Sequence, residues 1–227
     1  SPVNFQDTQL IGVLARADAT VAQLSGLLSG LVERFALHDA PLYLVGGSVR
    51  DALLGRLGND LDFTTPARPD VVYSILEEWA ETVWDTGIDF GTVSAAYKGQ
   101  QIEITTFRSD SYDGQSRNPE VVYGDTLEGD LVRRDFKANA MAIELLADAS
   151  FKFHDPLHGL HDIADRVLDT PDKPEISFHD DPLRMLRAAR FASQLEFRVA
   201  DRVVEAMRDM AGEIQRITVE LSLIHIS

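Results

Sequence analysis

The stretch Leu42-Tyr-Leu-Val-Gly-Gly-Ser-Val-Arg-Asp-Ala-Leu-Leu-Gly55, which leads into Asp60-Leu-Asp62, decides how this 227-residue chain folds. Its first four residues form a short apolar run, which is typical of a buried strand. Two glycines then allow a sharp turn, and the serine and aspartate after them have capping-box spacing, which predicts a helix that starts at Ser48. Gly55 is a natural helix stop, and the Asp-Leu-Asp segment predicts a second strand.

The glycine turn and the two carboxylates together indicate phosphate chemistry. Gly46 and Gly47 let a ligand approach the backbone, and a helix start offers free N–H groups to phosphate oxygens. Asp60 and Asp62 share one face of a strand. Paired carboxylates suit Mg²⁺, particularly when the phosphates of a substrate complete its coordination shell. Either feature alone is usually a plain turn or a solvated edge. Their order within 17 residues favours an enzyme of nucleotidyl transfer.

Composition limits the partners and the location of the protein. Hydrophobic residues make up 44% of the chain, which is ample for a core, and the absence of cysteine excludes disulfides and thiolate metal sites. The formal net charge is -16, so any contact with a polyanion must be a local basic patch. Neither a signal pattern nor an apolar run of spanning length is visible, and we predict a cytoplasmic protein without membrane contact.

Hydrophobic periodicity predicts a domain of helices and strands that is followed by helices only. Pro171 to Pro174 is the clearest linker between the two parts. The predicted helices cover 8–37, 69–82, 126–146, 181–194 and 200–210, the further strands cover 90–97, 101–107 and 151–153, and a mobile loop covers 109–119.

Glu103 is a candidate for a third carboxylate at the proposed ion site. It lies between Ile102 and Ile104 on a predicted strand, so its side chain faces away from theirs. That face is commonly solvent, but beside Asp60 and Asp62 it would complete a triad. Such a triad can hold two ions or accept the proton of an attacking hydroxyl.

Arg134, Asp135 and Asn139 form a second constellation within about a turn and a half of the predicted helix. Asp135 and Asn139 are four residues apart and so share a face. An arginine suits phosphate oxygens, and a carboxylate with an amide suits ribose hydroxyls. The same pattern also fits an ordinary helix start with exposed arginines, so both interpretations stay open.

A third constellation begins at Asp181, where proline occupies the first position of a predicted helix. Asp181 and Arg184 would face the same way and could present donors and acceptors to a base edge. Arg187 and Arg190 continue the stripe at three-residue intervals. Three arginines on one side of a helix most often form a solvated face. Here, however, they are the densest basic stripe of an acidic chain.

Taken in order, these segments resemble the class II tRNA nucleotidyltransferases, which are the CCA-adding enzymes, and the related bacterial poly(A) polymerases. The resemblance runs from about Tyr43 to Phe197, and its motifs are specific only when they are taken together. They are Gly46-Gly-Ser-Val-Arg-Asp51, Asp60-Leu-Asp62, Arg133-Arg-Asp-Phe-x-x-Asn-Ala140, Asp155-Pro-x-x-Gly159 with Asp162 and Arg166, and Asp181-Pro-Leu-Arg184 with Arg187 and Arg190.

The resemblance implies an α+β fold: a polymerase-beta-like nucleotidyltransferase head, with a mixed sheet flanked by helices, and then an all-helical neck. We place the head at residues 1–170 and the start of the neck at 171–227. Members of the family continue well beyond this length. We therefore expect a chain truncated at its C-terminus, with a foreign tail after about residue 220.

The resemblance also implies template-independent addition of C and A to the 3′ end of tRNA from CTP and ATP, with Mg²⁺ and with release of pyrophosphate. Asp60 and Asp62 would hold Mg²⁺, and Asp181 with Arg184 would read the base edge. A loop near residues 110–122 matches the flexible element of the family. The nucleotide-binding residues that the resemblance implies are Gly46, Gly47, Ser48, Arg50, Arg134, Asp135, Asn139, Asp181, Arg184, Arg187 and Arg190.

Several alternatives remain at this level. Lys137-Ala138 stands where the family usually has threonine and a β-branched residue, and Asp180 stands where glutamate is usual. The family motifs overlap, so a poly(A) polymerase, a CC-adding enzyme or an A-adding enzyme fits the same residues. A nucleotide- or RNA-binding fragment with little turnover is the non-enzymatic alternative.

Overall fold

A computed structural model describes residues 5–109, 121–212, 215 and 219. The strands are β1 (Leu42–Val45), β2 (Asp60–Thr65), β3 (Thr82–Trp84), β4 (Thr92–Tyr97), β5 (Gln100–Thr106), β6 (Ala142–Leu145), β7 (Phe151–His154), β8 (Val167–Leu168) and β9 (Arg198–Val199). The helices are α1 (Phe5–Leu27), α2 (Ser29–Leu37), α3 (Gly47–Leu53), α4 (Pro69–Trp79), α5 (Leu127–Val132), α6 (Gly159–Asp165), α7 (Pro174–Asp180), α8 (Leu183–Leu195) and α9 (Asp201–Asp209). No helix in these described stretches is both long and apolar enough to cross a bilayer.

Seven strands form one mixed sheet in the order β3-β4-β5-β2-β1-β6-β7. β2 and β5 are parallel, and the other neighbouring pairs are antiparallel. The register of the parallel pair sets Asp62 beside Glu103. The predicted mixed sheet with flanking helices is therefore confirmed, and the carboxylate strand lies near its centre.

The two faces of the sheet have opposite character because side chains alternate along each strand. Leu44, Phe63 and Ile104 are buried and pack in one hydrophobic cluster with apolar residues of α1, α2, α3 and α4. Asp60 and Asp62 point to the other face and are solvent-accessible. Helices α1 to α4 thus cover one face. On the other face Leu131 of α5 packs with Tyr43 and Val45, while Asp60 and Asp62 stay accessible to a ligand.

The predicted helix over 126–146 is wrong in its second half. α5 ends at Val132, a short 3₁₀ turn covers Lys137–Asn139, and Ala142–Leu145 is strand β6. β6 pairs along its whole length with β1. The alanine-rich sequence favours helix locally, but pairing with a central strand overrides that weak preference.

The start of α3 also differs from the prediction. Gly46 occupies the N-cap position, and no side chain caps the helix. The capping-box interpretation of Ser48 is therefore wrong, because the glycine turn places this serine one residue inside the helix. Its hydroxyl is free to bond elsewhere.

Between residues 171 and 212 the regular elements are helices, as predicted, apart from β9, which pairs in parallel with β8. Ala188 and Phe197 of this region join the main hydrophobic cluster. Most of the predicted mobile loop, at 110–119, and the suspected foreign tail after about residue 220 lie outside the described residues.

Candidate nucleotide site

The glycine turn lies between two guanidinium groups. Gly46 has φ 64° and ψ -137°, a combination that essentially only glycine adopts. A Cβ placed on Gly46 would lie 3.2 Å from Nη1 of Arg134, and one placed on Gly47 would lie 3.1 Å from Nη2 of Arg50. Two arginines beside the glycine turn provide the donors and the positive charge that phosphate oxygens require.

Ser48 connects the turn to the carboxylate strand. Its side chain is buried, and its Oγ accepts a hydrogen bond from the backbone N of Asp62 at 2.9 Å. The same hydroxyl lies 3.5 Å from the carbonyl oxygen of Asp60. Both partners belong to β2, so this hydroxyl sets the distance between the glycine turn and the two aspartates.

Asp62 and Glu103 interact directly on the open face. Partial burial and the negative charge of Asp60 raise the pKa of Asp62, although the positive charge of Arg134 opposes that rise. Burial, the charge of Asp62 and a hydrogen bond to Asp62 raise the pKa of Glu103. Burial is the largest cause of both raised pKa values, and the neighbouring carboxylates add to it. The negative charge gathered here favours a cation.

This donor set fits a divalent cation that shares its ligands with a substrate. Within residues 5–109 and 121–212, no three His, Cys, Asp or Glu side chains converge closely enough to hold an ion by themselves. The expected triad of Asp60, Asp62 and Glu103 is thus not a closed site. Asp60 and Asp62, with the negatively charged Glu103 beside them, suit Mg²⁺ only when phosphate oxygens complete its coordination shell.

The second constellation forms one hydrogen-bonded chain with the glycine motif. Arg50 donates from Nη1 to Oδ1 of Asn139 at 2.8 Å, and Asn139 donates from Nδ2 to Oδ1 of Asp135 at 3.1 Å. The Asn139 amide is buried and uses both of its ends. Asp135 and Asn139 therefore meet as expected, although a 3₁₀ turn rather than an α-helix brings them together.

The chain continues to the third constellation through Arg187. Its Nε lies 3.5 Å from Oδ2 of Asp135, and its Nη2 donates to Oδ2 of Asp181 at 2.8 Å. Arg187 thus joins the residue expected near the sugar to the residue expected at the base. This link between two distant motifs is not visible in the sequence.

The side chain of Arg184, which the sequence predicts to face the same way as Asp181, makes its hydrogen bonds with other partners. It donates from Nη1 to Oγ of Ser177 at 3.0 Å and from Nη2 to the carbonyl oxygen of Arg133 at 2.8 Å. The reason is that α8 starts at Leu183, so Asp181 lies before the helix in an extended conformation. Arg184 instead joins α8 to the Arg133-Arg-Asp segment.

Arg190 is exposed, and its guanidinium lies over the ring of Phe191 at 5.3 Å from the centroid. Arg50 lies over the same ring, also at 5.3 Å. Sequence reasoning missed this aromatic residue as well as Asp130, which pairs with Arg134. Asp130 lies on α5, and Arg134 follows just past the end of that helix. The four-residue spacing of the two is the signal that could have indicated this pair.

Comparison with known proteins places this geometry in a family. The family described as Poly A polymerase head domain matches residues 42–169. A CCA-adding enzyme of Lactobacillus helveticus is 41% identical over 187 residues, which cover 81% of this chain and 45% of the relative. The chain therefore spans just under half the length of this curated relative.

Solved structures agree with the sequence relatives. The Bacillus stearothermophilus CCA-adding enzyme in complex with CTP is 36% identical with a TM-score of 0.68, over 80% of this chain and 42% of that one. A tRNA nucleotidyltransferase complexed with a primer tRNA and an incoming ATP analog is 28% identical with a TM-score of 0.68, over 80% and 50%. The match to the glycine turn, the carboxylate strand and the Arg133-Arg-Asp segment leads to one conclusion: this chain belongs to the poly A polymerase head domain family.

Proposed function

We propose that this chain is the nucleotide-binding head of an enzyme that adds C and A to the 3′ end of tRNA from CTP and ATP and releases pyrophosphate. One observation carries the proposal. The Ser48 hydroxyl joins a glycine turn flanked by Arg50 and Arg134 to the strand of Asp60 and Asp62. That arrangement sets a phosphate-binding surface directly beside paired carboxylates.

The ligands of the relatives support the choice of substrates. The Bacillus stearothermophilus enzyme was solved with CTP, and the tRNA nucleotidyltransferase with a primer tRNA and an ATP analog. We therefore propose CTP, ATP and the 3′ end of tRNA as the partners of the whole protein. A cytoplasmic location, which we also propose, fits a tRNA substrate.

The residues of this chain would divide the reaction among them. The 3′ hydroxyl of the RNA attacks the α-phosphorus, a new phosphodiester forms, and the bond to the β-phosphate breaks. Arg50 and Arg134 would neutralise and orient the phosphates, and Asp135 with Asn139 would offer oxygen acceptors to the hydroxyls of the sugar. Asp181 and Arg184 remain the proposed readers of the base, and Arg187 holds the carboxylate of Asp181 in place.

Asp60 and Asp62 are the residues that would hold Mg²⁺. Divalent cations supply charge neutralisation at the phosphates and activation of the attacking hydroxyl when they are bound. Glu103 lies beside Asp62 and is a candidate to accept a proton. Its raised pKa makes it a better base than an ordinary surface glutamate.

We also propose that the head ends near residue 170 and that the neck starts at 171. The family match ends at residue 169, and Pro171 and Pro174 flank the segment that follows. α7, α8 and α9 then carry the proposed base-reading residues.

The test is incorporation of labelled CTP and ATP into tRNA that lacks its 3′ CCA. We expect C and then A to enter, and we expect Asp62→Ala to abolish incorporation. Incorporation of ATP alone into any RNA would instead indicate a poly(A) polymerase, an alternative that the family description itself favours. C alone or A alone on tRNA would indicate a split-function enzyme.

Calorimetric titration of the 227-residue chain with Mg–CTP separates binding from turnover. Nucleotide binding without incorporation would support a binding fragment. Full activity of Asp62→Ala would contradict the assignment of this aspartate.

A further inference from the structure

A buried carboxylate outside the expected motifs holds one of the two arginines beside the glycine turn. Asp130 of α5 is 8% exposed, and both of its oxygens are used. Oδ1 accepts a hydrogen bond from the backbone N of Arg108 at 3.0 Å, and Oδ2 accepts one from Nη2 of Arg134 at 3.2 Å. We propose that Asp130 is a positioning residue that orients Arg134 for the nucleotide phosphates, an inference that rests on the proposed function.

Arg134 depends on this partner for its orientation. Its Nη1 lies against Gly46, and its Nε is buried without a hydrogen-bond partner among the described residues. Its charge reaches the carboxylate face, where it opposes the rise in the pKa of Asp62. A guanidinium that rotated away from Asp130 would leave both the turn and Asp62.

Asp130 is itself held in one place. Thr126 caps α5 by accepting a hydrogen bond from the backbone N of Gly129 at 3.2 Å. Leu131, which follows Asp130 in the sequence, is fully buried. On the other side, Arg108 follows the end of β5 and pairs with Tyr123. The carboxylate of Asp130 therefore connects a capped helix to the end of a central strand. Because both elements are held in place, the carboxylate can fix the orientation of Arg134.

The surrounding charges make the negative charge of Asp130 necessary. Burial and the positive charges of Arg133 and Arg134 lower the pKa of Arg108, and the charge of Asp130 opposes this effect. Asp130 thus offsets the repulsion that Arg108 receives from Arg133 and Arg134. A neutral side chain at this position would leave the repulsion between Arg108 and Arg134 without that compensation.

The diagnostic substitution is Asp130→Asn. The asparagine oxygen can still accept from the Arg108 backbone, but its NH₂ group then faces Nη2 of Arg134, donor against donor. The guanidinium must move while the fold keeps its backbone contact. Glu128→Gln is the matched control, since Glu128 is exposed on the same helix and the change in charge is the same.

The readout is the dissociation constant of Mg–CTP and Mg–ATP for the 227-residue chain, measured by calorimetric titration alongside thermal melting. We expect Asp130→Asn to weaken binding about tenfold, because charge-assisted hydrogen bonds contribute most to such sites. Glu128→Gln should leave binding within about twofold of the parent, as surface changes usually do. Asp130→Glu, which keeps the charge but moves the carboxylate by one methylene, should give an intermediate loss and serves as the second variant if Asp130→Asn fails to fold.

A double-mutant cycle shows whether the effect passes through Arg134. In an Arg134→Ala background, Asp130→Asn should weaken binding no further. Equal weakening in both backgrounds, or an effect as small as that of Glu128→Gln, would overturn the proposal. Binding without nucleotide addition would contradict the proposed function and leave this inference standing, whereas a parent chain that binds no nucleotide would overturn both.

Discussion

Single polar side chains in the candidate site connect structural elements of the protein. Asn139 uses its amide oxygen for Arg50 and its amide nitrogen for Asp135. The hydroxyl of Ser48 accepts a hydrogen bond from the backbone of β2. Substitutions at such positions therefore change the geometry of neighbouring residues, and a loss of activity alone does not identify a ligand contact.

Ser48→Ala tests this point at the smallest scale. Removal of the hydroxyl leaves the backbone N–H of Asp62 without its acceptor, and we expect the free energy of unfolding to fall by about 1–2 kcal/mol. We also expect the Mg²⁺ concentration for half-maximal CTP binding to rise, because β2 loses its tie to the glycine turn. Urea denaturation and nucleotide titration at several Mg²⁺ concentrations measure the two effects.

Ser74→Ala is the control for that experiment. Ser74 is exposed, and its hydroxyl donates to the carbonyl oxygen of Asp70 within α4. We expect its stability to stay within about 0.5 kcal/mol of the parent. If Ser48→Ala behaved like Ser74→Ala, the hydroxyl would have no role in holding the strand.

At the scale of elements, α6 packs on the 3₁₀ turn that carries Asn139. Asp155 accepts hydrogen bonds from the backbone N of Gly159 at 2.7 Å and of Leu160 at 3.0 Å, which fixes the start of α6. A Cβ placed on Gly159 would lie 2.1 Å from the carbonyl oxygen of Lys137. The backbones of the two elements are thus in direct contact, and the glycine permits it.

Gly159→Ala should therefore separate α6 from the 3₁₀ turn. A methyl group at this position meets backbone that cannot rotate away, and we expect a loss of about 3 kcal/mol or more in the free energy of unfolding. Gly26→Ala is the matched change, since Gly26 lies in α1 with open space around its Cβ. That variant should gain about 0.5–1 kcal/mol from helix propensity. Equal effects of the two changes in urea denaturation would contradict the close contact.

The elements differ in how well periodicity predicts them. The alternation around Glu103 predicts β5 almost to its ends, because one side of that strand is buried and the other is open. β6 was missed because Ala142 and its neighbours pair with β1, and no local pattern records that partner. The error moved Asn139 from a 3₁₀ turn into an α-helix, yet its contact with Asp135 survives at four-residue spacing.

At the scale of the whole molecule, charged residues join the head to the region after residue 170. Asp169 accepts from Arg202 of α9 at 2.8 Å and lies 3.3 Å from Nζ of Lys137. Nearby, burial is the main cause that raises the pKa of Asp162 to about 6, and Asp169 adds to the rise while Lys137 opposes it. The Oδ2 atom of Asp162 is buried without a hydrogen-bond partner among the described residues.

Asp162 predicts the pH dependence of stability. The folded state holds this proton more tightly than the unfolded state, so stability falls as the pH rises from about 4 to about 6 and stays lower above that. Asp162→Asn should remove the loss and stabilise the protein at pH 7 by about 1–2 kcal/mol, discounted for partial exposure. Near pH 4 the gain should be small.

Urea denaturation at the two pH values measures this effect. Glu205→Gln is the control, because Glu205 is exposed on α9 and the change removes the same charge. It corrects for the general self-repulsion of a chain with a net charge of -16. A gain that is equal at both pH values would contradict a raised pKa of Asp162.

The order and spacing of residues were enough to predict the residues of the candidate site, because a glycine turn, paired aspartates on one strand face and an Asp–Asn pair four residues apart are local patterns. The partners of Arg134, Arg184 and Arg187 depended on tertiary structure. These long side chains reach across elements that are distant in the chain, and each guanidinium bonds to whichever acceptor the packing brings near. Local periodicity carries no record of that packing, so only the folded chain determines how the arginines are held around the nucleotide site.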